Sequence, residues 1–179
     1  MPITSNDVLL KYSTQAGSAG HTQGGSAATS LGGRISTTQV SSNSVNNLFD
    51  DITGVQNAAS RVDYRCVFVH NNHATLTLLN AIAYISAEVQ GATTIAIAAD
   101  SIAPSPIGQS SVQAATIAND TTPPNNLTFT SPTTRGAAIS LGNIPAGYCK
   151  AFWIRRSAGN TTAVNNDGVT IRVEGDTAA

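Results

Sequence analysis

The sequence predicts an all-β fold, an antiparallel β-sandwich of immunoglobulin-like or jelly-roll type preceded by an extended amino-terminal arm. Three observations carry that prediction. From Arg61 onward, short segments of alternating apolar and polar residues recur, separated by turns rich in Asn, Pro and Gly. No long amphipathic helical stripe interrupts them. Between Ser13 and Phe49 the chain offers too few large apolar side chains to build a core. A chain of 179 residues suffices for one buried domain of about 100–150 residues plus an appendage. The expected division is an arm over 1–60, with a short helix near 44–53, and a sandwich over 61–179.

Between Ser13 and Phe49 the only formal charge is Arg34, and Leu31, Ile35, Val40 and Val45 are the only large apolar residues before Leu48. Ordering a backbone costs about 1–2 kcal/mol per residue, which so little apolar surface does not offset, so the arm is expected to take its shape from neighbouring molecules. Val45, Leu48, Phe49 and Ile52 then fall at i, i+3, i+4 and i+7, one stripe of a helix. Ser42, Asn43 or Ser44 can cap it and Gly54 can stop it. Asp50 and Asp51 oppose the helix dipole at its end, and Asn46 and Asn47 are poor helix formers, so one or two turns are expected, as a plug on the sheet end.

In the sandwich, Tyr64, Cys66 and Phe68 alternate with Arg65, Val67 and Val69, and both sets contain apolar side chains. A strand of that kind is buried on both faces and therefore central. In HNNHATLTLLNAIAYIS, Leu76 and Leu78 share a face, but the phase is lost through Leu79, Asn80 and Ala81, which places a bulge near Asn80. Ile95 and Ile97 mark another strand before the breaker SIAPSPIGQS, and Val112 to Ile117 a weaker one before DTTPPNN. Leu127 and Phe129 alternate with Thr128 and Thr130, and Ala137, Ile139 and Leu141 alternate with small or polar residues. A turn with Pro145 second and Gly147 fourth, a type I pattern, leads into Tyr148–Arg156. Asn165-Asn166-Asp167-Gly168 reverses the chain into a half-exposed strand of Val169, Ile171 and Val173. The total is eight or nine strands, and no repeat of 20 to 50 residues suggests a solenoid or propeller.

Charged residues make up 11% of the chain and the formal net charge is −1. Nucleic-acid binding needs clustered Lys and Arg to neutralise phosphates, and the nine present are scattered, so no nucleic-acid partner is expected. Arg155 and Arg156 point to opposite faces of one strand, which favours structural anchoring. The start, MPITSNDVLLKYS, lacks the basic and apolar regions of a secretory signal, and no apolar run approaches ~18 residues, so neither secretion nor a membrane span is expected. Cys66 and Cys149 are expected as free thiols packing like small apolar side chains.

His70 and His73 have the spacing of a metal pair, but no Cys, Asp or Glu nearby completes a site, and a solvated hairpin turn is the better reading. His21 has no partner in sequence, and Asp50-Asp51 lacks the repeated oxygen ligands of a calcium loop. GxSxG, HExxH, GK[ST] and GxGxxG are absent, and the only glutamates are Glu88 and Glu174, so no catalytic, cofactor-binding or metal residue is assigned. Trp153, Tyr84, Tyr148 and Phe152 could form a carbohydrate-stacking platform, although a strand Trp in a sandwich is more often core.

The segments SLGGRISTTQVSSNSVNNLFDDITGVQ, YRCVFVHNNHATLTLLNAIAYI, SLGNIPAGYCKAFWIRR and NNDGVTIRVEGDTAA resemble those of tailed-bacteriophage virion structural proteins of the head decoration, or cement, type. The resemblance runs from about Ser30 to the end and its motifs are structural. It implies a non-enzymatic protein assembled in the host bacterial cytoplasm and carried on the phage head surface. Its partners would be the major capsid protein and neighbouring copies of itself, as a homotrimer or homodimer. Leu31–Val40 would be a docking arm and Asn46–Gly54 its anchor, which makes Leu31, Arg34, Ile35, Val40, Leu48 and Phe49 the expected assembly contacts. A neck, tail or fibre component is the alternative within the virion. A carbohydrate-binding or adhesin-like module is the alternative from another class.

Overall fold

Ten strands, one short α-helix and one 3₁₀ turn (Arg135–Ala137) emerge in a computed structural model that describes residues 1–89, 91, 93–162, 164 and 167–177. Strand β3 (Val62–Asn71) is the spine, and its apolar run Cys66–Val69 buries both faces, as the alternation predicts. It lies between β9 (Tyr148–Ala158) and β1 (Val8–Thr14), antiparallel to both. The larger sheet runs β5 (Thr93–Ala99), β9, β3, β1, β2 (Gly32–Gln39), β7 (Ala114–Thr116), and the two-residue β6 (Ser105–Pro106) also pairs with β9. The smaller sheet is β10 (Val169–Thr177), β4 (Leu78–Glu88), β8 (Ile139–Ile144), so the fold is an antiparallel β-sandwich.

Two apolar layers hold it together. Between the sheets pack Val67 and Val69 of β3, Ile85 of β4, Ile97 of β5, Leu141 and Ile144 of β8, and Phe152 and Ile154 of β9. On the opposite face of the larger sheet, Ile35, Cys66, Phe68, Ala151 and Trp153 are covered by Leu31, Tyr64, Ile107, Leu127 and Phe129, most of them from the long connection between β5 and β8. Each fully buried large side chain contributes about 1.5–3 kcal/mol relative to exposure. Trp153 is core, and its Nε1 donates to Asp100 Oδ2 at 2.8 Å.

The expected arm is instead part of the sheet. Val8–Tyr12 pair with Val67–Asn71, and β2 pairs with β1 and β7. Its hydroxyl-rich sequence tolerates burial because the hydroxyls are satisfied locally. Ser13 Oγ accepts from Gly32 N at 3.0 Å, Thr14 Oγ1 from Ala16 N at 3.2 Å, and Ser30 Oγ donates to Ser26 O at 2.9 Å. Gly32 lies where β2 and β7 approach so closely that a Cβ would sit 1.7 Å from Ala115 O.

Residues 44–53 form turns, not the expected helix. Asn43 and Asn46 adopt left-handed backbone (φ 58 and 55), which breaks the periodic stripe. Val45 is 89% exposed, whereas Leu48 and Phe49 still pack against the inter-sheet core. The helix that does form, α1 (Gly54–Ala58), begins where Gly54 was expected to end one. Thr53 Oγ1 accepts from Gln56 N and Thr53 N donates to Gln56 Oε1, a capping box that initiates it.

Other expectations divide. Asn80 sits at φ 50, and the β4–β8 register slips between Leu78 and Ala81, so the bulge lies where the lost phase places it. The turn before β9 falls one residue later than expected: Tyr148 N donates to Pro145 O and Gly147 has φ 71, so glycine takes the third position of a type II turn. Leu127–Phe129 form no strand, and Thr130 only bridges Ile97, because this segment serves as cover for the back face. Of the Asn165–Gly168 reversal, Asn165 and Asn166 lie outside the described residues, and the connection carries the chain from one sheet to the other. The outer strand β10 has register breaks at both ends and shows Arg172 and Asp176 outward, features that blunt an edge against further pairing.

Candidate functional site

The six expected assembly contacts are used within the chain. Ile35 is wholly buried behind the larger sheet with Leu31 packed on it. Val40, Leu48 and Phe49 pack on the inter-sheet core. Arg34 donates to Ser110 O at 2.6 and 2.9 Å and to Gly17 O at 3.2 Å, which ties β2 to the loop before β7. Ile35 is buried because β2 lies inside the sheet, and the other five are half-buried against the same domain.

Three polar constellations remain. The first closes one end of the sandwich, where strand register sets Asp63 of β3 beside Arg156 of β9. Asp63, 1% exposed, accepts from Arg61 Nε at 2.6 Å and Arg156 Nη2 at 2.7 Å, while Asp120 accepts from Arg61 at 3.1 Å and Arg65 at 3.2 Å. Phe49 lies under two of these cations, 4.7 Å from the Arg156 guanidinium and 5.6 Å from that of Arg65. These arginines are anchors, as the alternating placement of Arg155 and Arg156 suggests, three guanidinium groups sharing the two carboxylates of Asp63 and Asp120.

The second lies on the back face of the larger sheet. Lys11 (β1) and His70 (β3) are 6% and 2% exposed, and His21, in the loop between β1 and β2, covers them. Lys11 Nζ is 2.6 Å from His21 Nε2, and the two imidazole centroids are 5.9 Å apart. Among the described residues neither ring nitrogen of His70 has a hydrogen-bond partner. Burial, then the nearby Lys11 and His21, push its pKa down to about 4. Cys149, the register partner of His70, is pushed up to about 12 by burial, and Cys66 is likewise raised, so both free thiols are protonated and unreactive at neutral pH. His70 is therefore not on a solvated turn, as its sequence neighbours suggest. His73 is: its Nδ1 accepts from Thr75 N and Leu76 N at 3.1 and 3.0 Å. Among the described residues no three His, Cys, Asp or Glu side chains converge as metal ligands.

The third is on the outer face of the smaller sheet. Glu174 accepts from Tyr84 Oη at 2.8 Å, Arg135 Nε at 2.9 Å and Arg172 Nε at 2.7 Å, and the Tyr84 hydrogen bond, with the two arginines, holds its carboxyl below the usual range. Beside it an open groove of about 550 Å³ runs between the amino-terminal segment and β10, floored by Ile3, Val8, Leu10 and Val173.

Sequence reasoning missed Lys11, Asp63 and Asp100, whose partners His21, Arg156 and Trp153 lie 10, 93 and 53 residues away along the chain. The scarcity of charge already implies an uncharged, hydroxyl-rich surface, and the structure shows which charges reach it. Of the nine basic and ten acidic residues, only Asp50, Asp51, Arg135, Arg172 and Asp176 are exposed, and the two exposed cations are paired to Glu174. Of the nine aromatic residues, Phe49, Tyr64, Phe129 and Tyr148 are half-buried and the other five are buried. What remains outside is hydroxyl, amide and small apolar surface. No protein-family model, curated protein or solved structure matches this chain.

Proposed function

We propose that this chain is a non-enzymatic virion structural protein, a decoration protein that binds the outside of a tailed-phage head and stabilises it by bridging capsid subunits. The observation that carries the reading is a surface on which only five of the nineteen charged side chains stand exposed. Docking such a surface against a neighbour avoids stripping water from ions, which costs several kcal/mol per ion. Each bound copy then adds its interface energy to the work of separating capsid subunits. The docking arm drops out of this mechanism. Leu31–Val40 includes strand β2, so binding falls to the preformed surface, with the major capsid protein and like copies as partners.

Quantitative mass spectrometry of purified virions tests the assignment. Symmetry-repeated decoration requires on the order of hundreds of copies per head, whereas a neck ring requires about a dozen. Hundreds of copies support decoration. A dozen moves the protein to the neck or tail, and absence from the particle overturns the virion reading.

A further inference from the structure

We infer that Lys11, His21 and His70 form an acid-sensitive latch that holds the Gln15–Leu31 excursion against the back of the larger sheet and releases it when the imidazoles take up protons. This goes beyond the proposed virion role and does not depend on it. The geometry is specific. At 2.6 Å, Lys11 Nζ can donate to His21 Nε2 only while that nitrogen is unprotonated. Protonating it sets two cationic donors head to head. His70, behind them and shielded from water, brings a second titratable ring to 5.9 Å from the first.

Among the described residues no counter-charge faces this group. From β1 comes Lys11, from the loop His21, from β3 His70, and from β9 the Cys149 thiol. The β2 contact is the Thr37 carbonyl, 3.5 Å from Lys11 Nζ, and the β6–β7 segment beside Cys149 contributes uncharged Ser105 and Gln113. Acid thus takes the cluster from one positive charge toward three with no carboxylate to offset them. The excursion is the element positioned to yield. It is fastened by Gly20 N to Gln109 O, His21 N to Ile35 O and Thr37 N to Gln23 O, at 2.9, 2.7 and 2.8 Å, and by few large apolar side chains.

The sign follows from linkage. Both imidazoles titrate lower when the latch is shut than the usual 6.5, so closure is fully favoured above about pH 6.5 and weakens as pH falls toward the closed-state value, about 4 for His70. With an ordinary pKa in the open form, His70 alone raises the opening equilibrium about thirtyfold between pH 7.5 and pH 5.

Amide exchange on the full chain, read residue by residue and corrected for the intrinsic pH dependence of exchange, tests this. Gly20, His21 and Thr37 amides should lose protection about thirtyfold at pH 5 while those of β3 and β9 keep theirs. The double variant His21→Gln/His70→Gln, which can still accept from Lys11 but cannot be charged, should lose that pH response. Unchanged protection at Gly20 and His21, loss across β3 and β9 at the same time, or the same response in the double variant would each overturn the latch. Should the variant not fold, proton NMR titration of the wild-type imidazoles decides: a His70 pKa at or above 6.5 refutes it.

Discussion

Replacing Ile35 by alanine tests whether the first forty residues belong to the fold. Ile35 is completely buried among Phe68, Ala151 and Trp153, on a strand paired on both sides. Truncating a core isoleucine costs about 2–5 kcal/mol, and the full burial here favours the middle of that range. Total stability is about 5–15 kcal/mol, so the loss is large. With a urea slope of about 2–3 kcal/mol/M for a chain of this size, the midpoint should fall by about 1–2 M. Trp153, the only tryptophan and wholly buried in the same layer, makes its fluorescence the direct readout. Val45→Ala, at a residue 89% exposed, should change stability by less than ~0.5 kcal/mol and serves as the control. An Ile35→Ala midpoint indistinguishable from that control would put β2 outside the cooperative unit and restore the arm.

Removing residues 1–40 should, by the same reasoning, abolish cooperative unfolding in the denaturant titration, because β3 loses its β1 partner and Phe68 its cover. At Asn80, φ 50 is tolerated by asparagine and glycine, so Asn80→Ala should cost about 1 kcal/mol in thermal or urea melts and Asn80→Gly a few tenths at most. Asp63→Asn keeps the shape but leaves Arg61 and Arg156 without their shared carboxylate; since both arginines keep some solvent access, the expected loss is about 1–3 kcal/mol by urea unfolding. That loss should shrink in the Arg156→Met background, where a double-mutant cycle isolates the pair.

Strands β3, β5, β8 and β9, the bulge at Asn80 and the burial of Trp153 are legible in the chain because alternation of apolar and polar residues reports directly which face a strand buries. The same principle hid β1 and β2. In GGRISTTQ one isoleucine stands among small hydroxyl residues, and nothing local distinguishes a solvated tail from a strand whose hydroxyls are answered by main chain. Pairing of β1 with the distant β3, and of β2 with β1 and β7, supplies the missing order. The helix signal at 44–53 failed for a related reason: the apolar spacing was present, but Asn43 and Asn46 took left-handed backbone and the capping box lay at Thr53.

The site-level reading divides along the same line. By itself, the sequence determined the sandwich, its central strand and the scarcity of charge, since composition and period-two patterning act within a few residues. Only the tertiary structure decided where each charge lies. Lys11, His21 and His70 meet, as do Asp63, Asp120 and three arginines, because antiparallel pairing and loop closure bring distant positions into contact, and for His21 and His70 the desolvation there lowers the pKa.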